Sequence, residues 1–387
     1  MKKKIGVLLV FSFLLFYSFK YEDWGFYGHR EIHYYAVMAM PAPVNFYFKE
    51  HVEYLSEHAV DPDQRRYAVP DEGARHFIDL DQWFRDDTLA LSRDYSMDRI
   101  FFGGWRWKGT TSEYSIRNIN LLGDRIRFET DHPFEVDLYG LQQEIREVKQ
   151  EGRGIISRFL YPDLKEEGHL IFIDSFSGYG ILPYYFPLIY SQLVTAMESK
   201  NEERILRLCA DIGHYVADAH VPLHTTVNYN GQLTGQTGLH AFWESRIPEL
   251  FAQDHFSAWV GPARYIEDPE EFIWSIILHS HSLVPEVLAL EIEAKNRIES
   301  NQHYCMEERG SQLVRIQCPE LAREYLKLMN GMVERQWASS IHSVASVWYS
   351  AWVDAGEPVW WGNGEIVESQ KGWWQRVKNW LSRNRSD

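Results

Sequence analysis

The chain has 387 residues, of which 45% are hydrophobic and 24% are charged. This composition is ordinary for a globular protein with a large core, and it excludes a disordered or collagen-like chain. The formal net charge of −16 argues against a basic surface that binds nucleic acid non-specifically. It does not exclude a protein that binds divalent cations.

The N-terminus predicts an exported protein. Residues 1–19 start with Met and three lysines and continue with an apolar run of about fifteen residues, which is the layout of a secretory signal peptide and is short for a membrane span. We expect residues 1–23 to be the signal peptide and the mature chain to be periplasmic or secreted. An uncleaved N-terminal anchor is the alternative, because no small-x-small cleavage site precedes Trp24.

Most of the remaining chain has the periodicity of helices. Apolar residues recur at helical spacing, whereas the alternating runs typical of strands are few and short. The sequence therefore predicts an all-α, multi-helix domain over residues 24–362. Residues 82–135 are polar and aromatic, and we interpret them as an irregular excursion from the helical core. The predicted helices cover residues 29–40, 44–58, 141–159, 182–199, 202–219, 269–283, 285–300 and 319–352.

The C-terminal tail and the cysteines leave alternatives open. Residues 363–387 are basic and rich in tryptophan, so one face of a helix there could contact a membrane peripherally. A helix docked on the domain, or a frayed tail, is the alternative. In an exported protein Cys305 and Cys318 could close a short loop by a disulfide. The oligomeric state is left open.

The stretch HYVADAHVPLH, residues 214–224, has too many ionisable groups for an apolar helix. His214 and Asp218 are four residues apart, so they project from the same helical face, and His240 and Glu244 repeat this spacing. An imidazole and a carboxylate at this spacing form a common framework for Zn²⁺. His224 lies between the two pairs. Because an apolar core cannot bury this many charges without compensation, we predict that these residues bind metal.

Two earlier segments have further candidate ligands. The first, WGFYGH, extends from Trp24 to His29 directly after the predicted signal peptide. The second, residues 58–81, contains Asp61 and His76 among several other acidic residues. His220 lies between His214 and His224, and we interpret it as a core histidine or as a contact of a metal ligand.

Together these segments resemble the zinc-dependent phospholipase C and S1/P1 nuclease superfamily, whose blocks they follow in order. The resemblance implies a mostly helical domain that holds three Zn²⁺ ions in a cleft. The implied ligands are Asp61, His76, His214 and Asp218 for one ion, Asp218, His29 and the amine and carbonyl of Trp24 for a second, and His224, His240 and Glu244 for the third.

The chemistry that the resemblance implies is hydrolysis of a phosphodiester. Two zinc ions bridged by Asp218 would lower the pKa of a shared water, which would then attack phosphorus in line. The third ion would stabilise the leaving alkoxide. Asp61 would orient or deprotonate the nucleophile and is the predicted catalytic residue.

The spacing of the blocks is divided between the two branches of the superfamily. The intervals before His29 and before His76 are similar to those of the nucleases, whereas the short interval before His240 and the presence of Glu244 are similar to the phospholipases. The nuclease branch also has an arginine three residues after the aspartate of its first block. If Asp61 is that aspartate, the residue three positions later in this chain is Gln64 and not an arginine.

We therefore predict an exported zinc-dependent phosphodiester hydrolase of the phospholipase C type that acts on phospholipid head groups. The abundant aromatic residues and the tail suit a lipid surface, while the acidic charge disfavours polyanionic substrates. A single-strand nuclease or 3′-nucleotidase that uses the same metals is the alternative, with nucleic acid as substrate. A non-catalytic surface protein that zinc only stabilises is a third hypothesis, which predicts closed, four-ligand sites.

Overall fold

The computed structural model describes residues 26–109, 113–130, 133–148, 153–156, 168–309 and 312–361. The predicted signal peptide (residues 1–23), Trp24 and the tail (residues 363–387) lie outside the described residues.

Fourteen α-helical segments lie within the described part of the chain. In chain order they are α1 (Phe26–Ala39), α2 (Asn45–Glu50), α3 (Val52–Glu57), α4 (Asp61–Arg65), α5 (Tyr95–Phe102), α6 (Leu138–Arg146), α7 (Leu182–Glu198), α8 (Glu202–Ala219), α9 (Leu239–Ala241), α10 (Ile247–His255), α11 (Pro269–Ser282), α12 (Val284–Arg297), α13 (Pro319–Leu328) and α14 (Met332–Asp354). A π-helical turn, Phe242–Arg246, joins α9 to α10.

The prediction of an all-α domain is wrong, because the structure also contains four small antiparallel sheets and is mixed α/β. One sheet has four strands, in the order β4-β3-β9-β8, another has three, β5-β6-β7, and the other two are the hairpins β1-β2 and β10-β11. The strands are β1 (Phe84–Arg85), β2 (Thr88–Leu89), β3 (Gly104–Gly109), β4 (Glu113–Ile116), β5 (Asn118–Leu122), β6 (Arg125–Glu129), β7 (Phe134–Asp137), β8 (Arg153–Ile156), β9 (Gly168–Ile173), β10 (Tyr304–Arg309) and β11 (Gln312–Gln317).

The strands of the predicted irregular excursion form because their side chains alternate. In β3 the rings of Trp105 and Trp107 are buried, whereas Arg106 between them and Lys108 after them are not. This is the period of two that a half-buried strand requires. The predicted helix over residues 141–159 is also wrong in its second half, where β8 pairs with β9.

Residues 95–173, here called the β region, have a hydrophobic core of their own. It is made of side chains from both larger sheets together with α5 and α6, including Trp105, Phe128, Phe134 and Phe172. The rings of Phe128 and Phe134 stack at 5.0 Å between centroids. The β region is therefore a second packed unit beside the helices.

The larger core, here called the helical core, is built around α8. This helix packs against α1, α7 and α14. Gly213 allows α1 to approach closely, since a Cβ atom at this position would lie 2.3 Å from Nε2 of His33. The indole of Trp348 on α14 donates a hydrogen bond to the carbonyl of Cys209 on α8 at 3.0 Å. These contacts bring His29 on α1 next to the C-terminal half of α8.

One described stretch, Pro269–Arg297, is long and apolar enough to cross a membrane by length and composition alone. It consists of the two helices α11 and α12, which meet at Leu283, close to the predicted boundary between the helices over residues 269–283 and 285–300. Ile273, Trp274 and Ile277 are buried in the helical core, and core helices of globular proteins pass the same test.

Candidate metal centre

Three groups of His, Asp and Glu side chains lie at one end of the helical core. Within each group the potential ligand atoms are all within 4.8 Å of one another. Group one is Asp63, His76 and His214; group two is His29, His214 and Asp218; group three is His224, His240 and Glu244.

Helix α8 supplies the two residues that join the groups. Asn201 caps its N-terminus by accepting a hydrogen bond from the amide of Arg204, and the helix ends before Pro222. His214 and Asp218 lie one turn apart on its buried face, with 3.2 Å between Nε2 and Oδ2. The predicted spacing of this pair therefore corresponds to a real contact.

Asp218 faces four imidazoles. Its Oδ2 atom lies 2.9 Å from Nδ1 of His76 and 3.2 Å from Nε2 of His214. Its Oδ1 atom lies 3.4 Å from Nε2 of His29 and 3.8 Å from Nε2 of His224. Burial by itself would raise the pKa of Asp218, but the charges of His214 and His224 and the hydrogen bonds of His214 and His29 hold it well below the ordinary value.

The potential ligand atoms of group three are equally close together. Nε2 of His240 lies 2.6 Å from Oε2 of Glu244 and 3.1 Å from Nε2 of His224. The other carboxylate oxygen of Glu244 lies 3.2 Å from Nε2 of His29, so groups two and three are adjacent. Burial would lower the pKa of His29, but hydrogen bonds to Asp218 and Glu244 raise it to about 10.

Backbone carbonyls fix the orientation of two of the rings. Nδ1 of His214 donates a hydrogen bond to the carbonyl of Ala59 at 2.8 Å, and Nδ1 of His224 donates to the carbonyl of His76 at 2.7 Å. Because a carbonyl only accepts, Nδ1 carries a hydrogen in both rings, and Nε2 is the ring atom that faces the groups. Histidines that ligate metals in proteins are oriented in this way.

The residues present fit zinc. Imidazole nitrogens and carboxylate oxygens are its usual ligands besides thiolate, at bond lengths near 2 Å. Ligand atoms arranged tetrahedrally at that distance are roughly 3.3 Å apart, and the contacts of Asp218 and of group three are 2.6–3.8 Å. A cation could also be bound jointly by Nε2 of His224 and Nε2 of His240, which lie 3.1 Å apart.

Asp63, and not Asp61, belongs to this arrangement. Oδ1 of Asp63 lies 3.9 Å from both Nδ1 of His76 and Nε2 of His214. The carboxylate of Asp61 instead contacts Nδ1 of His58 at 2.8 Å, and about a third of its side chain is exposed. Since both residues are on the short helix α4, two positions apart, their side chains point to different sides of the helix. The sequence had no signal that separates them.

A cleft of about 540 Å³ is lined by Asp63 of group one and by all three residues of group three. Besides Asp63 and group three, it is lined by the aromatic rings of Phe26, Tyr67 and Tyr229 and by Arg66. Nη1 of Arg66 lies 3.4 Å from Oδ1 of Asp63, and its guanidinium lies over the ring of Tyr67. The sequence prediction missed Arg66, although it is the third residue after Asp63.

Trp24 and His220 are the remaining residues that the sequence analysis considered. Trp24 lies outside the described residues, two positions before Phe26, which lines the cleft. His220 is a core histidine, because Nδ1 contacts the carbonyl of Val216 and Nε2 contacts the hydroxyl of Ser343. Burial lowers the pKa of His220 to about 4, so it is neutral near pH 7.

Comparison with protein-family models, with curated proteins and with solved structures finds no match to this chain. The resemblance to the phospholipase C and S1/P1 nuclease superfamily therefore rests on the sequence blocks alone.

Proposed function

We propose that this protein is an exported zinc-dependent phosphodiester hydrolase that acts on phospholipids, as a phospholipase C does. The observation that carries the proposal is the position of Asp218, whose two oxygens face ligand atoms of all three groups. Residues of groups one and three line an open cleft. A carboxylate that bridges neighbouring cations is the arrangement of multi-metal hydrolases.

Zinc bound at these groups would supply a water of lowered pKa and neutralise the phosphate oxygens. The residues of the chain would hold and orient the reactants. Asp218, with its low pKa, stays ionised and keeps groups one and two together. Asp63 lines the cleft and would accept a proton from the attacking water, which is the role that the resemblance gives to Asp61. Arg66 would donate hydrogen bonds to the phosphate.

The open cleft supports an enzyme over a protein that zinc only stabilises. Asp63, His224, His240 and Glu244 all line the cleft, so ions at groups one and three would be reachable by water and substrate. A structural zinc is instead enclosed by four protein ligands. The aromatic rings of Phe26, Tyr67 and Tyr229 would contact the organic part of the substrate.

One observation favours the nuclease alternative. With Asp63 as the aspartate of the first block, Arg66 occupies the position three residues later at which the nuclease branch has an arginine. Aromatic rings beside it could equally stack on a nucleobase. The phospholipase proposal keeps the support of Glu244 and of the acidic charge of the chain.

A two-substrate assay tests the proposal. Purified protein, with its metal content measured, is incubated with phosphatidylcholine vesicles and with denatured DNA, each with added zinc or with a chelator. We expect release of the phosphorylated head group that depends on zinc. Cleavage of DNA without lipid hydrolysis would replace the phospholipase proposal by the nuclease, and no hydrolysis of either substrate with zinc bound would favour the non-catalytic hypothesis.

Export and the role of Trp24 have a separate test. N-terminal sequencing of the secreted protein is expected to begin at Trp24, since only a free amine there could ligate metal as the resemblance implies. Any other first residue would remove Trp24 from the proposed ligands. Peripheral membrane contact through residues 363–387 stays a prediction.

A further inference from the structure

The β10-β11 hairpin and the disulfide at its base, residues 304–318, contact the segment that carries His240 and Glu244. This unit is here called the disulfide hairpin. Cys305 and Cys318 form the disulfide, with 5.1 Å between their Cα atoms. The disulfide hairpin contains none of the residues of the three groups. It nevertheless contacts the chain just before His240 and just after Glu244.

Gln317 contacts both flanks at once. Its side-chain Nε2 donates a hydrogen bond to the carbonyl of Gly238, two residues before His240, at 3.4 Å. Its backbone carbonyl accepts a hydrogen bond from Nε of Arg246, two residues after Glu244, at 3.3 Å. Gly238 has a positive φ of 98°, which glycine adopts without strain. One residue of the disulfide hairpin thus spans the turn on which His240 and Glu244 lie.

Arg246 is the main connection. Its side chain is 4% exposed, and Nη2 donates to Oε2 of Glu307 on β10 at 2.7 Å. Its guanidinium also lies 3.7 Å from Glu249 on α10, which in turn pairs with Arg309 of the disulfide hairpin at 2.9 Å. Because the guanidinium of Arg246 is buried, its charge needs these carboxylates as partners, so the contacts fix the position of Arg246.

The turn that ends at Arg246 has an unusual backbone conformation, which the contacts of Arg246 stabilise. Residues Phe242–Arg246 form a π-helical turn, a rare form that occurs mostly at functional sites. Relaxation to a regular α-helix would rotate the residues after Phe242 about the helix axis, and Glu244 with them. The disulfide fixes the hairpin one residue after Gln317, so that Glu307 and Gln317 are presented to Arg246 together.

We propose that the disulfide hairpin is a positioning element for group three, acting through Arg246 and Gln317 on the separation of His240 and Glu244. The inference rests on the proposed metal centre and deepens it. It predicts that the affinity of group three for zinc depends on residues that never touch the ion, as is common for residues that orient metal ligands.

The test is a zinc titration of the full mature protein against a competing chelator. Arg246→Met keeps the apolar stem of the side chain and removes its hydrogen bonds. We expect wild-type protein to bind three zinc ions, and Arg246→Met to bind two as tightly and the third roughly 10–100-fold more weakly. Arg246→Lys, which keeps the charge, is expected to recover part of the affinity. Arg297→Met is the control, because Arg297 also pairs with two glutamates, Glu293 and Glu324, at an exposed position, and neither glutamate belongs to group three.

Two further variants keep the proposal testable if Arg246→Met does not fold. Glu307→Gln removes the charge of the partner at a half-exposed position, and the double substitution Cys305→Ser with Cys318→Ser opens the base of the disulfide hairpin. Both are expected to weaken the same single ion. In a His240→Ala background, which already lacks that site, Arg246→Met is expected to cause no further loss of zinc.

The outcomes are distinguishable from failure of the proposed function. If wild-type protein binds no zinc, the proposed metal centre is wrong, and the positioning role falls with it. If wild-type protein binds three ions and Arg246→Met and Glu307→Gln bind them equally tightly, only the positioning role is wrong. A uniform loss of affinity for all three ions would also overturn it, because that result indicates general destabilisation.

Discussion

The helical core and the β region bury different kinds of side chain. Deep in the helical core lie His29, His214 and Asp218, each 3% exposed or less. The core of the β region is apolar and aromatic, and the charged residues of its three-stranded sheet pair at the surface, as Arg125 does with Glu135 at 3.0 Å. In the part of the chain that the structure describes, all three groups built from His, Asp and Glu lie outside the β region.

This difference separates residues that support the fold from residues that serve a function. Burying ionisable groups costs free energy unless a partner compensates their charges. The three-stranded sheet of the β region avoids that cost by keeping its ion pairs exposed, where each contributes little to stability. The β region does contain a buried charge, Arg99, which pairs with Asp174 at 3.0 Å. The helical core concentrates buried imidazoles and carboxylates at the three groups, which lie beside the cleft.

The largest expected effect comes from removing Asp218. Asp218→Ala is expected to abolish hydrolysis and to lower bound zinc by more than one equivalent, because the carboxylate serves two groups. Glu135→Gln removes a carboxylate of the β region and is the control, with zinc content and activity unchanged. Elemental analysis of both purified variants checks this. An unchanged zinc content in Asp218→Ala would contradict the bridging role and, with it, the contrast between the two regions.

The contrast can be sharpened within the helical core. Asp63→Ala is expected to lose one zinc equivalent and to lower kcat/KM by more than roughly 100-fold, beyond the range typical of residues that only orient ligands. Asp61→Ala, two residues away and paired with His58, is expected to keep its zinc and most of its activity. The reverse result would restore Asp61 to the role that the resemblance gives it.

The two cores should also respond differently to cavities. Phe128→Ala in the β region and Trp348→Ala in the helical core each remove a fully buried ring and are expected to cost about 3–5 kcal/mol of unfolding free energy. Only Trp348→Ala should weaken zinc binding, because Trp348 packs against His33, one turn after His29. Denaturant unfolding and zinc titration measure the two effects. Equal zinc loss in both variants would show that the regions are coupled.

The smallest expected effect is on acid stability. Burial by itself would raise the pKa of Glu72, but the hydrogen bond from Tyr215 and the charges of Arg65 and Arg75 lower it below its ordinary 4.5. A carboxyl with a lowered pKa stabilises the fold above its ordinary pKa, and this stability is lost as the pH falls through the folded-state value.

We therefore expect the unfolding free energy of zinc-free protein to decrease below pH 4.5, and Glu72→Gln to show a smaller decrease. Denaturant unfolding across pH 3–6 (about the range that brackets the ordinary carboxyl values) is the measurement. A decrease of the same size in wild type and variant would exclude Glu72 as its cause.

The sequence predicted the helical elements better than the sheets. The helical periodicity of residues 202–219 and of the long C-terminal segment corresponds to α8 and to α13 and α14. The strands of the β region are only four to six residues long, so each offers two or three alternations. That signal is too short to separate a strand from a polar loop, even where Trp105 and Trp107 alternate with charged residues.

By itself the sequence determined the pairing of His214 with Asp218 and of His240 with Glu244, because residues four apart on a helix meet through local backbone geometry. Only the tertiary structure decided that Asp63 and not Asp61 joins His76. That choice depends on how α4 lies against α8, which long-range contacts such as Arg65 with Asp211 determine. The contacts of the disulfide hairpin with Arg246 likewise join residues that are far apart in the chain, and no local sequence pattern encodes them.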